Sequence, residues 1–220
     1  MNTITIRPFA ALKLLTFAAL SLGGCHWSGI RGNGHIVTDN RPVQDFTGVE
    51  AEGSFEIEWV RGASSCTIRT DENLLRHIQS SVDGSKLRLE WDGRLNPTHG
   101  VKVKISSGNL NGARLTGAVR LTARSLAGQG FYLDGTGATR VTADGTVNEL
   151  MATMTGASRL DAESLQVKTA ELAISGAGKA EVSASQILKV AISGAGKVTY
   201  HGDPTIEQRI SGAGSVRKRD

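Results

Sequence analysis

The first half of the chain alternates apolar with polar residues in short runs. Five such runs lie between residues 43 and 107, and alternation of this kind is typical of half-buried β-strands. The runs are FTGVEA, SFEIEWV, CTIRT, KLRLEW and VKVKIS. Gly53-Ser54 and Asp83-Gly84 supply turn residues between runs. This section is therefore predicted to be rich in strands.

One segment of this section has a helical period instead. Leu74, Leu75, Ile78 and Val82 fall on one face of a helix. Thr70 or Asp71 would serve as the N-cap, and Glu72 would place an acidic residue in the first turn. The pattern predicts one short helix between Thr70 and Val82.

From residue 110 onwards the chain is repetitive. The tripeptide Ser/Thr-Gly-Ala occurs six times, at intervals of 20, 19, 20, 18 and 18 residues. The central glycines are Gly117, Gly137, Gly156, Gly176, Gly194 and Gly212. A fixed period in this range is typical of a solenoid, in which each repeat forms one coil.

Residues at equal distances from these glycines share a character. The positions two before, two after and four after each glycine are mostly small or apolar, and their common parity places them on one face of a strand. Strands of this kind without intervening helices stack as a parallel β-solenoid, for which a right-handed coil is the default. In so narrow a coil, an inward glycine at a corner, such as Gly194, is explained in one of two ways: nothing larger fits, or the backbone bends with a positive φ.

These patterns predict an all-β fold. It is a single-stranded, right-handed parallel β-helix with coils of 18–20 residues over 110–216, preceded by a β-rich part over 35–109 that carries one short helix. We interpret residues 1–24 as a leader and residues 25–34 as a tether. The Gly-rich, polar character of the tether continues to residue 42.

The leader has the features of a lipoprotein signal peptide. Arg7 and Lys13 precede a short apolar run, and the run ends in Leu22-Gly23-Gly24-Cys25, which resembles a bacterial lipobox. We therefore predict that Cys25 carries lipid, including palmitate, and anchors the protein in the cell envelope. Ordinary signal cleavage beside an unmodified cysteine is the alternative. The residue after the cysteine is His26 rather than aspartate, which resembles the pattern of lipoproteins that are passed to an outer membrane.

The leader also changes the cysteine and charge counts. With Cys25 acylated, Cys66 has no partner and is predicted to be a small buried residue. Removal of Arg7 and Lys13 lowers the net charge from +4 to +2, so the basic isoelectric point does not indicate nucleic acid as a partner.

The sequence resembles a family of bacterial envelope proteins, the putative auto-transporter adhesin head (GIN) domain. The resemblance rests on GNGHIVTDNRPVQDFTGVEAEGSFEIEW, on TIRTDENLLRHIQSSVDGSKLRLEW and on the repeated ISGAGK segments. It implies a β-helical body and an adhesive role. It brings no catalytic residues.

Searches for chemical motifs predict no catalytic, cofactor or metal site. Gly-Ala-Gly-Lys at 176–179 and 194–197 lacks the first glycine and the Ser/Thr of a phosphate loop. The histidines lack the spacing of metal ligands and are interpreted as solvated. Trp59 and Trp91 are interpreted as packing residues. Asp161 and Glu181 both stand five residues after a repeat glycine, so stacking would make them neighbours and they could form a catalytic carboxylate pair. An exterior ladder, salt-bridged to Arg159 and Lys179, is the favoured interpretation.

One exterior column carries a candidate binding surface. A basic residue stands three positions after five consecutive repeat glycines, and Ser215 ends the series. We call these residues the basic ladder: Arg120, Arg140, Arg159, Lys179 and Lys197. The ladder is either a solvated face paired with Asp161 and Glu181, or a stripe that captures a polyanion.

Two functions follow. The first is a non-enzymatic, lipid-anchored envelope protein that presents a rigid solenoid as an adhesin-like surface or scaffold. It would contact the membrane through its lipid and would take acidic polysaccharide or envelope components as partners. The alternative is a β-helix that binds or cleaves polysaccharide. An outer-membrane location and a homo-oligomer are both compatible with the sequence.

Overall fold

The computed structural model describes residues 29–219. Strands dominate this part of the chain, with one short 3-10 helix at Glu72–His77. Before residue 110 the strands are β1 (Ile30–Arg31), β2 (Ile36–Arg41), β3 (Gly48–Gly53), β4 (Glu56–Arg61), β5 (Ser65–Asp71), β6 (Ile78–Asp83), β7 (Lys86–Trp91), β8 (Leu95–Asn96) and β9 (Lys102–Ser107). After it they are β10 (Gly112–Gly117), β11 (Arg120–Gly137), β12 (Arg140–Gly156), β13 (Arg159–Gly176), β14 (Lys179–Gly194), β15 (Lys197–His201), β16 (Thr205–Gly212) and β17 (Ser215–Lys218).

The repeats stack in parallel as coils of a β-solenoid of about five turns. Each repeat glycine pairs with the glycine of the next coil, from Gly117 opposite Gly137 to Gly194 opposite Gly212. The prediction of stacked coils with the repeat as the unit is confirmed. The stacking begins earlier than the tripeptide does, because Gly53 lies opposite Gly117 and β4 pairs in parallel with β11.

The interior of the coils is built from the columns that parity selects. From Gly137 onwards, at least one of the two residues that stand two before and two after each repeat glycine is small, whereas Leu115 and Val119 beside Gly117 are both large and buried. In one coil Gly135 faces Thr139, and a methyl group at Gly135 would lie 2.7 Å from the Thr139 hydroxyl oxygen. In a later coil the bulk is reversed, and a methyl group at Gly196 would lie 2.8 Å from Ile174 Cγ2. The corners after Gly117 therefore hold at most one large side chain each.

The repeat glycines have the positive φ that was one of their two predicted explanations, but the inward direction predicted for Gly194 is wrong. Gly194 is half-buried at a corner with φ of 117°, and it does not point into the core. A Cβ atom there would lie 2.6 Å from the carbonyl oxygen of Gly176, one coil away. The other repeat glycines likewise have positive φ. These positions require glycine because the corners of successive coils touch backbone to backbone.

The N-terminal end of the solenoid is closed by antiparallel pairs. β6 pairs with β7, and β2 pairs with β5. The predicted helix is therefore too long: it ends at His77, and residues from Ile78 onwards form a strand because β7 offers an antiparallel partner. The tether is also shorter than the Gly-rich stretch to residue 42, since Ile36–Arg41 is a strand of this closure.

A buried carboxylate holds this end together. Asp71 is fully buried and accepts hydrogen bonds from the backbone N–H of Gly34 (2.7 Å) and from both the N–H and the hydroxyl of Thr98 (2.9 and 2.8 Å). The expected cap contact within the helix is absent among the described residues. Burial raises the pKa of Asp71, but these hydrogen bonds outweigh it and the net pKa is lowered. Gly32 lies so close that any side chain there would overlap the carboxylate.

Packing residues lie where the sequence predicts. Trp59 is fully buried and donates to the Ser107 hydroxyl at 2.9 Å, while Trp91 stacks at a tilt on Phe55. Cys66 is buried and free, which confirms its prediction, and burial raises the pKa of its thiol to about 11. The leader and Cys25 lie outside the described residues. Among residues 29–219, no helix has the length and apolar character to cross a membrane.

Candidate binding surface

The basic ladder forms one straight column on the outside of the solenoid. Each of its residues is the first residue of a strand, from Arg120 in β11 to Lys197 in β15. The pairing register places each base directly opposite the next, and Lys197 opposite Ser215. This part of the predicted geometry follows from the constant distance between the corner glycine and the strand start.

All five side chains of the ladder are exposed and unpaired. Within residues 29–219, none of them makes a salt bridge or a side-chain hydrogen bond. Stacked unit charges at the ~4.8 Å strand spacing repel by about 0.9 kcal/mol per pair in bulk water. Among the described residues, no carboxylate therefore offsets this repulsion by an ion pair with the ladder.

A groove runs beside the first three bases of the ladder. It has a volume of about 430 Å³, and its lining includes Arg120, Arg140 and Arg159. The exposed corner alanines Ala118, Ala138 and Ala157 also line it. So does Glu56, which lies opposite Arg120 in the neighbouring strand. The backbone N–H groups of the corner already bond to the preceding coil, so the side chains alone supply the positive charge.

Asp161 and Glu181 do not pair with the ladder. They are opposite one another in adjacent coils, as the sequence predicts. Glu181 instead contacts the guanidinium of Arg219 and lies 3.5 Å from His201 Nε2. The predicted salt bridges of this pair with Arg159 and Lys179 are therefore wrong.

The protonation state of Glu181 does not suit acid catalysis. Burial raises its pKa, but hydrogen bonds from Arg219 and His201 outweigh burial and the net pKa is lowered. A glycosidase pair needs one carboxyl group with a raised pKa to protonate the leaving oxygen. Glu181 therefore does not suit the general-acid role in such a pair.

Stacking also creates a cluster that the sequence search missed. One ligand atom each of Glu163, Glu181 and His201 lies within 4.8 Å of the others. His201 is half-buried between the two carboxylates, so its interpretation as a solvated residue is wrong. Glu163, Glu181 and His201 are separated by 18 and 20 residues, each about the length of one coil, and this spacing is the sequence signal for the cluster. The Arg219 guanidinium forms an ion pair with Glu181, so the cluster is part of an ion-pair network in the structure.

The sequence over residues 45–204 matches the family described as putative auto-transporter adhesin, head GIN domain. The chain belongs to this family. The GIN-domain match begins after β2 and ends before β16, so it includes the whole basic ladder.

Solved structures share the fold of this GIN domain. A putative adhesin from Bacteroides fragilis NCTC 9343 superposes with a TM-score of 0.73 at 20% identity, over 87% of this chain and 100% of that one. A putative lipid binding protein from Parabacteroides distasonis ATCC 8503 gives 0.50 at 24% identity, over 88% and 100%. No protein with a curated description matches the sequence. At these identities the likeness establishes the fold of the GIN domain alone.

Proposed function

We propose that this chain is a non-enzymatic, adhesin-like protein of the cell envelope that captures acidic polysaccharide along the basic ladder. The observation that carries the proposal is the column of five exposed basic residues without ion pairs in the described chain. Membership of an adhesin family supports an envelope-associated, adhesive role. Relatives with the fold are named putative adhesins or a lipid binding protein, which favours binding over catalysis.

The shape of the ladder favours an extended chain as the ligand. Its five charges lie on one line over about 19 Å, at the ~4.8 Å strand spacing, and the column is one residue wide. A linear polyanion can place repeated carboxylate groups along such a column. Three of the five residues are arginines, which bind carboxylates in a bidentate manner.

The first prediction concerns this ligand. Full-length protein should bind immobilised polygalacturonate at low salt and release it as salt rises, because exposed charges are screened. The change of Arg140, Arg159 and Lys179 to glutamate should abolish binding while the melting curve stays near that of wild type. Neutral dextran should not bind.

A matched variant controls for net charge. Arg31, Arg61 and Lys168 are also exposed and without ion pairs in the described chain, and they lie away from the ladder. Changing them to glutamate alters the net charge equally and should preserve binding. Equal loss in both variants, or binding that survives the ladder variant, would contradict the proposal. Binding to anionic vesicles without binding to polygalacturonate would indicate a membrane ligand and would also overturn it.

The anchor proposed for this protein is lipid on Cys25. It rests on the lipobox-like Leu22-Gly23-Gly24-Cys25 and the apolar run before it. Acyl chains contribute about 0.8 kcal/mol per buried CH₂, so two or more hold a protein firmly at a membrane. In an organism with two membranes, His26 favours delivery to the outer one.

The second prediction tests this anchor. Cells fed radiolabelled palmitate should label the wild-type protein, whereas Cys25→Ser should stay unlabelled. Cys66→Ser is the matched control and should label normally, because the Cys66 thiol is buried in the fold. Equal labelling of wild type and Cys25→Ser would rule out the lipoprotein assignment.

A further inference from the structure

The two ends of the solenoid differ in the apolar surface of their edge strands. At the N-terminal end, the edge strands β2 and β6 keep their apolar residues buried or half-buried. β16 pairs with β14 alone and β17 pairs with β15 alone, so each presents a free strand edge among residues 29–219. Every residue of β16 is exposed, including Ile206 and Ile210, which are 38% and 39% exposed. At the other end Leu74 of the 3-10 helix is fully buried in the closure. An exposed edge with apolar residues is a site for pairing with a further strand.

The two free edges of the last coil are not equivalent. β17 carries Arg217 and Lys218, and charged side chains on an edge, lysine above all, oppose strand addition. β16 carries one acidic and one basic residue, Glu207 and Arg209, and no lysine. Edge pairing is therefore expected at β16.

The sequence of β16 is self-complementary in the antiparallel direction. If Gln208 lies opposite its own copy, Ile206 lies opposite the partner's Ile210 and Glu207 lies opposite the partner's Arg209. In the same register Thr205 faces the partner's Ser211. Opposite charges, apolar pairs and hydroxyl pairs across strands all stabilise an antiparallel ladder. A two-fold axis makes each of these contacts twice, as an isologous interface requires.

Gln208 adds a reason for this register. Its column in earlier coils is interior and apolar, with Leu172 and Val190 in the two coils before it. A glutamine at the last interior position remains solvated at an open end. Two such glutamines across a two-fold axis can bond amide to amide, and a single polar residue of this kind specifies register.

We propose that two copies of this chain associate end to end through antiparallel pairing of β16. The ladder and the lipid anchor are not needed for this contact. The sheet order places β6 and β7 at the end opposite β16, so the N-terminal ends lie at the two far ends of the dimer. If the proposed anchor is present, this geometry suits chains on two facing membranes.

The test exchanges the charges of β16 in the full chain, purified in detergent. Sedimentation from about 1 to about 100 µM should show a monomer–dimer equilibrium in wild type. Glu207→Arg places arginine opposite the partner's arginine twice, and Arg209→Glu places glutamate opposite glutamate twice. Each should weaken dimerisation about tenfold, and the double exchange should restore it.

The restoration separates the interface from a local effect. Glu207 also lies 3.9 Å from Lys189 of its own chain, and that contact is lost in the double variant as it is in Glu207→Arg. Recovery of the dimer therefore cannot come from the contact with Lys189. A monomer in wild type, insensitivity to the single exchanges, or no recovery in the double variant would each overturn the proposal. Binding to polygalacturonate is measured separately, so failure of the dimer leaves the proposed function unaffected.

Discussion

Replacement of Gly194 by valine is expected to destabilise the solenoid by about 3 kcal/mol or more. Its φ of 117° is a conformation that β-branched residues almost never adopt, and such strain costs about 1–3 kcal/mol. The new Cβ would also lie 2.6 Å from the Gly176 carbonyl oxygen. Because the obstacle is backbone of the preceding coil, the coils must separate locally to accept the side chain. Denaturant unfolding of the two proteins measures the difference.

Two control variants separate the causes of this loss. Ala195→Val, at the exposed neighbour, should change the free energy of unfolding by less than about 0.5 kcal/mol. Gly128 has a φ of 128°, and a Cβ there would meet only the end of the Asn109 side chain at 3.2 Å. Gly128→Val therefore reports the strain of a comparable φ without the backbone clash and should cost about 1–3 kcal/mol. If Gly194→Val proves as harmless as Ala195→Val, the backbone contact between coils is not what requires glycine.

Replacement of Asp71 by alanine is expected to cost about 3 kcal/mol or more of stability. Hydrogen bonds to a charged group contribute about 1.5–3 kcal/mol each, and this carboxylate accepts three from Gly34 and Thr98. Gly34 and Thr98 are exposed, so water can replace the carboxylate at these donors, and the loss should stay below the sum of three such bonds. Asp71→Asn keeps the shape but loses the charge and one acceptor oxygen, so its loss should be smaller. Asp92→Ala, at an exposed position, is the control and should be close to neutral.

The Asp71 contribution should also depend on pH in a defined direction. The folded pKa lies below the usual value of 3.8, so the contribution is complete above the unfolded pKa and is lost as the pH falls through the folded value. The stability gap between wild type and Asp71→Asn should therefore be constant near neutral pH and narrow below about pH 4. A gap that stays constant to pH 2 would show that Asp71 is not bound as a carboxylate.

Much of the candidate site could be predicted from the sequence because the ladder depends on short distances along the chain. Arg140 stands three residues after Gly137, and Arg159 three residues after Gly156. With each coil closed in the same way, equal spacing from the corner is enough to stack the bases. Which residues neutralise one another could not be predicted, since Glu181 is bound by Arg219, 38 residues later. Such partners depend on how the last coil closes.

The sequence by itself determined the parallel coils, their inward and outward faces and the column of bases. Alternation with period two and repetition near nineteen residues are properties of the chain that neighbouring coils preserve when they stack. Tertiary structure alone decided where the helix ends, that Asp71 is buried and that His201 lies beside two carboxylates. It also decided that Gly194 faces the backbone of Gly176 in the preceding coil. Each of these depends on a partner brought near from another coil or strand. Local periodicity does not encode the distance between such partners, because the partners come together only when the whole solenoid is assembled.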